Sequence, residues 1–198
     1  MELRFIDEHD GILGWIESGK MRRTSHALAA DGRVWLVDPV DVDGLDERVR
    51  ALGEPAGVIQ LLDRHGRDSS ALASRYRVPL HVVPTEISDS PFEFRDILRR
   101  RLWSEAALWW PERRALVCAD AIGTIPYFRT GADELAGVHP LLRLFPPRAL
   151  ADLEPQHLLV GHGEGIHGDA ATAALREAIS TARSRLPRWL AALPKRFR

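Results

Sequence analysis

Short apolar runs separated by turn residues account for most of the chain and predict a fold rich in β-strands. The first runs cover 3–6 and 12–16, and the next two, 25–30 and 33–37, flank Asp31-Gly32. An Asp-Gly pair between apolar runs is typical of a β-hairpin, because both positions of its tight turn need positive φ. Further strands are predicted from the later apolar runs, at 58–62, 79–83, 106–110, 114–118 and 157–160.

Helical patterns interrupt these strands. A short helix is predicted over 46–52, where Gly53 and Pro55 follow, and another over 69–76, directly after a strand and a polar loop. The strongest pattern covers 170–186, with apolar residues at helical spacing, and Pro187 is expected to end that helix. Strands interleaved with helices predict an α/β (α+β) fold, and the lack of repeats and linkers predicts a single domain over 1–198.

Composition removes several classes of function. The chain has 198 residues and a net charge of −1, and no basic stretch is interleaved with aromatic residues, so we expect no nucleic-acid partner. No apolar run approaches the ~20 residues needed to span a membrane. The first residues lack the apolar core of a signal peptide, and the single cysteine, Cys118, fits a reducing compartment. We therefore expect a cytoplasmic protein that acts on a small molecule.

Polar residues of one chemical kind follow four of the predicted strands. They are Asp38 after 34–37, Asp63 with His65 and Asp68 after 58–62, Asp120 after 115–118, and His162 after 158–160. Ligand sites in open α/β sheets lie beyond the carboxyl ends of strands. Carboxylates and neutral imidazoles are the groups from which zinc, iron and manganese sites are built. If the four strand ends meet at one edge, these side chains form a shared site.

The order of these features resembles the metallo-β-lactamase superfamily, over roughly 25–182. That resemblance implies a four-layer αββα sandwich of two similar halves. The family's first ligand loop reads His-x-His-x-Asp-His, and the same spacing here reads Asp63-Arg-His65-Gly-Arg67-Asp68. Asp120 matches the family's bridging aspartate, and His162 matches its last histidine. Residues 101–105 stand where the family has another ligand turn, but contain no histidine.

The resemblance implies a hydrolase with an altered metal site. Asp63, His65, Asp68, Asp120 and His162 would hold one divalent metal ion, zinc, manganese or iron, with Asp120 and Asp68 taking part in catalysis. A water activated by the metal would hydrolyse a small ester, thioester, amide or phosphoester. Arg67 adds positive charge where the family has a carboxylate, so at most one tightly bound metal per chain is expected.

A second interpretation needs no metal. Arg67 and Arg101 would pair with Asp63, Asp68 or Asp120 and neutralise the carboxylates, since a guanidinium stays charged at any working pH. The protein would then be a catalytically inactive member that binds a ligand or another protein. The sequence leaves open the substrate, the metal and the oligomeric state.

Overall fold

Two β-sheets form the centre of the computed structural model, which describes residues 3–196. The first sheet has six strands in sequence order: β1 (Leu3–His9), β2 (Ile12–Glu17), β3 (Thr24–Ala30), β4 (Arg33–Val37), β5 (Glu54–Gln60) and β6 (Leu80–Val82). Strands β1 to β4 are antiparallel, whereas β4, β5 and β6 run parallel. The predicted hairpin is confirmed, since Asp31 and Gly32 between β3 and β4 have φ values of 50° and 70°.

The second sheet gathers strands from the later part of the chain. Its members are β7 (Glu93–Arg100), β8 (Trp103–Trp110), β9 (Ala115–Cys118), β12 (His157–Val160) and β13 (Ile166–His167), in the spatial order β13-β12-β9-β8-β7. Two short strands, β10 (Ile122–Gly123) and β11 (Gly137–Val138), pair with each other inside the connection from β9 to β12. That connection also contains two 3₁₀ turns, Pro140–Leu142 and Arg148–Leu150.

Helices lie on the outside of both sheets and complete the four-layer αββα sandwich that the resemblance implied. They are α1 (Leu45–Leu52), α2 (Ser69–Tyr76), α3 (Asp169–Thr181) and α4 (Leu186–Arg196). Strand β4 shows why both faces of its sheet are buried. Its alternate residues Val34 and Leu36 pack in the cluster that contains α1 and α2, while Trp35 and Val37 pack in the cluster of the second sheet and α3.

The helix predicted over 170–186 ends earlier than expected, and a separate helix follows it. Helix α3 ends at Thr181, and Pro187 is the second residue of α4 instead of the terminator of a longer helix. Proline is tolerated in a first helical turn because the missing N–H would have no partner there. No helix among residues 3–196 has the length and apolar character needed to cross a membrane.

Parallel pairing brings four strand ends to the same edge of the sandwich. Strands β4 and β5 run parallel in the first sheet, and β9 and β12 run parallel in the second. Two isolated backbone bridges join the sheets near this edge, Arg23 with His162 and Leu62 with Glu105. The carboxyl ends of these four strands therefore surround one region, in which the candidate site lies.

Candidate metal centre

Three side chains from distant parts of the chain meet at this edge. His65 follows β5, Asp120 follows β9 and His162 follows β12. The Oδ1 atom of Asp120 lies 3.2 Å from His65 Nε2 and 3.1 Å from His162 Nε2. These side chains are only 11%, 12% and 7% exposed, respectively. Two imidazole nitrogens and one carboxylate oxygen thus converge in a largely buried space.

Contacts on the far side of each ring hold the two imidazoles in place. His65 Nδ1 donates to Asp38 Oδ2 at 3.1 Å, and His162 Nδ1 donates to the carbonyl oxygen of Met21 at 2.7 Å. Asp38 is fixed in turn, because its Oδ1 accepts the Leu61 N–H. Metal-binding histidines characteristically use their second nitrogen in this way, which fixes the tautomer and leaves Nε2 for the ion.

The oxygen at the centre of the cluster has unused binding capacity. Asp120 Oδ1 is buried, and although both Nε2 atoms are close, no well-aligned hydrogen bond reaches it from the described residues. A buried carboxylate oxygen costs free energy unless a cationic group, either a metal ion or a protonated imidazole, satisfies it. Tetrahedral zinc with bonds of about 2.0 to 2.1 Å separates its ligands by roughly 3.3 Å, close to the spacing found here. The three residues therefore fit a divalent metal ion.

Electrostatics within the cluster favour charged groups. Burial alone would lower the pKa of His65, yet its contacts with Asp120 and Asp38 raise that pKa to about 9. Burial alone would raise the pKa of Asp120, but contacts with His162 and His65 hold it well below its usual range. In the absence of metal, His65 is therefore an imidazolium between two carboxylates, and a metal ion that binds its Nε2 has to displace that proton.

Glu105 fixes the backbone beneath Asp120. This fully buried residue of β8 accepts the N–H groups of Asp120 and Ala121 through Oε1, at 2.9 and 2.7 Å, and the Trp103 indole N–H through Oε2. Burial and the charge of Asp120 raise the pKa of Glu105 to about 7, although these hydrogen bonds oppose the shift. A lone glutamate at the start of an apolar run was the only sequence signal for this role.

Arg67 fills the space beside the cluster. Its guanidinium donates to the backbone carbonyl oxygens of Thr24, Asp38 and Gly161, at 2.5, 2.7 and 3.1 Å. These carbonyls belong to the start of β3 and to the segments after β4 and β12, so Arg67 ties both sheets together. The expected pairing of Arg67 with Asp63, Asp68 or Asp120 is not observed among the described residues, and Arg101 is exposed.

Two of the five candidate ligands lie outside the cluster. Asp63 is exposed, and its Oδ2 accepts the Ser104 N–H at 2.9 Å. Asp68 precedes α2, and its Oδ2 accepts the Asp41 N–H at 2.8 Å. Each carboxylate therefore connects the ligand loop to a neighbouring segment. The cluster contains the other three, His65, Asp120 and His162.

Several residues at the mouth of the site were not predicted. Arg64 lies over the Trp103 ring, 4.2 Å from its centroid, and its Nη2 is 3.8 Å from Asp120 Oδ2. His139 is buried against Trp103, Tyr127 and Phe128, and burial lowers its pKa to about 4. Nothing in the sequence marked Arg64 apart from its place inside the ligand loop.

Comparison with solved structures identifies the fold. The N-terminal fragment of a putative diflavin flavoprotein from Nostoc sp. PCC 7120 has a TM-score of 0.62 at 12% identity, covering 92% of this chain and 98% of its own. The DIM-1 metallo-β-lactamase exposed to ceftazidime has a TM-score of 0.59 at 15% identity, with the same coverage. The metallo-β-lactamase FIM-1 from Pseudomonas aeruginosa, in its mono-zinc form, has a TM-score of 0.57 at 12% identity, covering 92% and 97%.

These similarities confirm the metallo-β-lactamase fold that the sequence pattern implied. At such low identity they establish the architecture alone. No protein-family model matches the sequence, and no curated protein matches it either. The chain is therefore a divergent example of this fold, and its chemistry has to be argued from its own residues.

Proposed function

We propose that this protein hydrolyses a small ester, thioester, amide or phosphoester at a centre holding one divalent metal ion. The ligands would be His65, Asp120 and His162. One observation carries the proposal: two oriented Nε2 atoms lie within 3.2 Å of a buried carboxylate oxygen that receives no well-aligned hydrogen bond from the described residues. Solved proteins of this fold include metallo-β-lactamases, and this supports a hydrolytic centre at this edge.

Two imidazoles and one carboxylate leave at least one coordination position of the ion open. Catalytic zinc sites have such an open position, whereas structural zinc sites do not. This mixed donor set suits zinc, and equally iron or manganese. A divalent ion bound there would supply a water of lowered pKa and would polarise a substrate oxygen. Hydrolysis of the four bond types named above uses both properties.

Other residues of this chain would have supporting roles. Asp38 orients His65, and Glu105 fixes the peptide that carries Asp120. Arg64 is about half exposed at the mouth of the site, where its guanidinium could bind an anionic group of a substrate. Its stacking on Trp103 limits the positions that it can adopt, so we expect it to favour substrates bearing a carboxylate or phosphate.

The position of Arg67 favours a centre with one metal ion over a centre with two. A second cation about 4 Å from the first needs further anionic ligands to offset the repulsion between the ions. Asp63 and Asp68 face other partners, and the Arg67 guanidinium adds a permanent positive charge within the same group of strand ends. A mono-zinc structure is known for one protein of this fold, FIM-1.

A metal-free binding module is the competing function. It is favoured by the fact that protonated His65, placed between Asp38 and Asp120, already supplies a positive charge to the cluster. Such a protein would bind a small ligand or a protein at the same edge without turnover. We further propose that the chain forms a single domain and that the protein is cytoplasmic. The free thiol of the buried Cys118 is compatible with the reducing conditions of that compartment.

Hydrolysis of a panel of chromogenic esters, thioesters, amides and phosphoesters distinguishes the two functions. The chelator-treated protein would be assayed alone and after addition of Zn²⁺, Mn²⁺ or Fe²⁺. We expect metal-dependent turnover of at least one class, lost in His162→Ala and retained in Asp63→Ala, whose carboxylate lies outside the cluster. Equal rates in the wild type and His162→Ala would refute the hydrolytic centre.

A further inference from the structure

Three histidines form a second cluster at the open edge of the sandwich. His9 ends β1, His157 begins β12 and His167 ends β13. The Nδ1 atoms of His157 and His167 are 2.9 Å apart, and the His9 ring centroid lies 4.7 and 4.1 Å from the other two centroids. One nitrogen from each ring lies within 4.8 Å of the others. Since β1 and β13 are the edge strands of different sheets, this cluster connects the two sheets.

A buried carboxylate orients one of these rings. Asp7, which is only 5% exposed, accepts a hydrogen bond from His167 Nε2 at 2.9 Å through Oδ1. This contact leaves His167 Nδ1 directed at His157. A carboxylate on the far nitrogen of a histidine is the usual support for a metal ligand, because it fixes the tautomer and increases the basicity of the ring.

The backbone around Asp7 is shaped to hold this carboxylate. Asp7 has a φ of 51°, and the pairing of β1 with β2 shifts register between Ile6 and His9. A Cβ atom at Gly14 or Gly165 would lie 3.0 to 3.1 Å from the Asp7 carboxylate oxygens, and the Gly165 N–H also donates to it. A bulge redirects the side chains of its strand, and a left-handed aspartate costs free energy. Both features serve to present Asp7 and His9 at this edge.

We propose that His9, His157 and His167 bind a divalent transition metal ion of the zinc class, which cross-links the two sheets at their open edge. Imidazole nitrogens suit zinc, copper and nickel, whereas calcium and magnesium require oxygen ligands. The site is separate from the cluster of His65, Asp120 and His162 and does not depend on the proposed hydrolysis. It would raise the number of metal ions per chain from the one predicted from the sequence to two.

Only a small rearrangement separates the present geometry from a metal site. Ligand nitrogens around zinc are roughly 3.3 Å apart, so the longest separation, up to 4.8 Å, has to shorten by about 1.5 Å. His9 is exposed and can make this movement by a change of rotamer at low cost.

Zinc binding to a His162→Ala variant tests this site in isolation, because that variant lacks a ligand of the other cluster. We expect calorimetry with Zn²⁺ alone to show one equivalent per chain. At a hundredfold excess over Kd, the Tm should rise by roughly 5 to 10 °C. Adding Asp7→Asn should weaken the affinity by about 10 to 100-fold, as expected for loss of an orienting carboxylate.

The matched comparison is between two histidine substitutions. Adding His9→Gln to the His162→Ala background should abolish both zinc binding and the rise in Tm. Because His9 is exposed, this substitution should leave the fold intact, so the loss of binding reports on the metal site. Adding His81→Gln, on β6 and outside both clusters, should change neither. The proposal is overturned if His162→Ala binds no zinc, or if His9→Gln and His81→Gln bind it equally.

Discussion

At the residue scale, His65 is the group on which the candidate centre depends most. It contacts Asp38 on one side and Asp120 on the other, so a single ring links the orienting carboxylate to the central one. The same two contacts give the metal-free protein a characteristic response to pH, because they raise the pKa of His65 to about 9.

We predict that the metal-free protein loses stability as the pH rises from about 6.5 to 9. The folded protein keeps the His65 proton up to a pKa of about 9, whereas the unfolded chain releases it near 6.5. The folded state therefore binds more protons in this window, and the free energy of unfolding should fall by about 3 kcal/mol across it. Urea unfolding with chelator present measures the slope. Asp38→Asn should reduce the slope of the free energy of unfolding against pH, and His81→Gln should not. An unchanged slope in Asp38→Asn would contradict the role of Asp38 in raising the pKa of His65.

Arg67 is predicted to be structural. Replacing it with methionine keeps a similar volume but removes the guanidinium donor from three carbonyl oxygens, of which Gly161 O still accepts the Thr24 N–H. The expected loss is about 2 to 4 kcal/mol in the free energy of unfolding, measured by urea denaturation. The exposed Arg101→Met variant should change it by less than about 0.5 kcal/mol. Equal stabilities would show that Arg67 does not hold the strand ends together.

At the scale of elements, the parallel strands β4, β5, β9 and β12 bring the ligands together. Each strand is a short buried run followed at once by a polar residue, and parallel pairing places these transitions at the same level. The loop after β5 is held from two sides, by Asp63 to Ser104 at the start of β8 and by Asp68 to Asp41 after β4.

Asp68 is therefore predicted to hold the loop without binding metal. Asp68→Ala removes the acceptor of the Asp41 N–H beside the start of α2, and should cost about 1 kcal/mol of stability. The metal content of the purified variant should equal that of the wild type. Elemental analysis alongside Asp63→Ala measures this, and loss of the ion in Asp68→Ala alone would return Asp68 to the ligand set.

Much of the architecture could be predicted from the sequence, because it follows from local patterns. The Asp31-Gly32 hairpin, the helix after 58–62 and the strand ends at Asp120 and His162 all depend on neighbouring residues. The directions of Asp63, Arg67 and Asp68 could not be predicted, since their partners come from other segments. The cluster of His9, His157 and His167 joins residues about 150 positions apart and required the sheet edges to be placed first.

At the scale of the whole molecule, the two sheets meet around two groups of metal-binding side chains. His65, Asp120 and His162 lie at the carboxyl ends of the central strands, and the three-histidine cluster lies at the open edge. The Arg67 hydrogen bonds and the Arg23 to His162 bridge cross between the sheets close to the first group. Metal binding should therefore stabilise the packing of the two sheets against each other, and it should also create a reactive centre.

Metal stoichiometry tests the central claim most directly. Calorimetric titration of chelator-treated His9→Gln with Zn²⁺, a variant that lacks a ligand of the edge cluster, isolates the centre of His65, Asp120 and His162. We predict one tightly bound equivalent per chain, lost when Asp120→Ala is added and retained when Asp63→Ala is added. Absence of tight binding in His9→Gln, or its persistence in the Asp120→Ala double variant, would contradict the account.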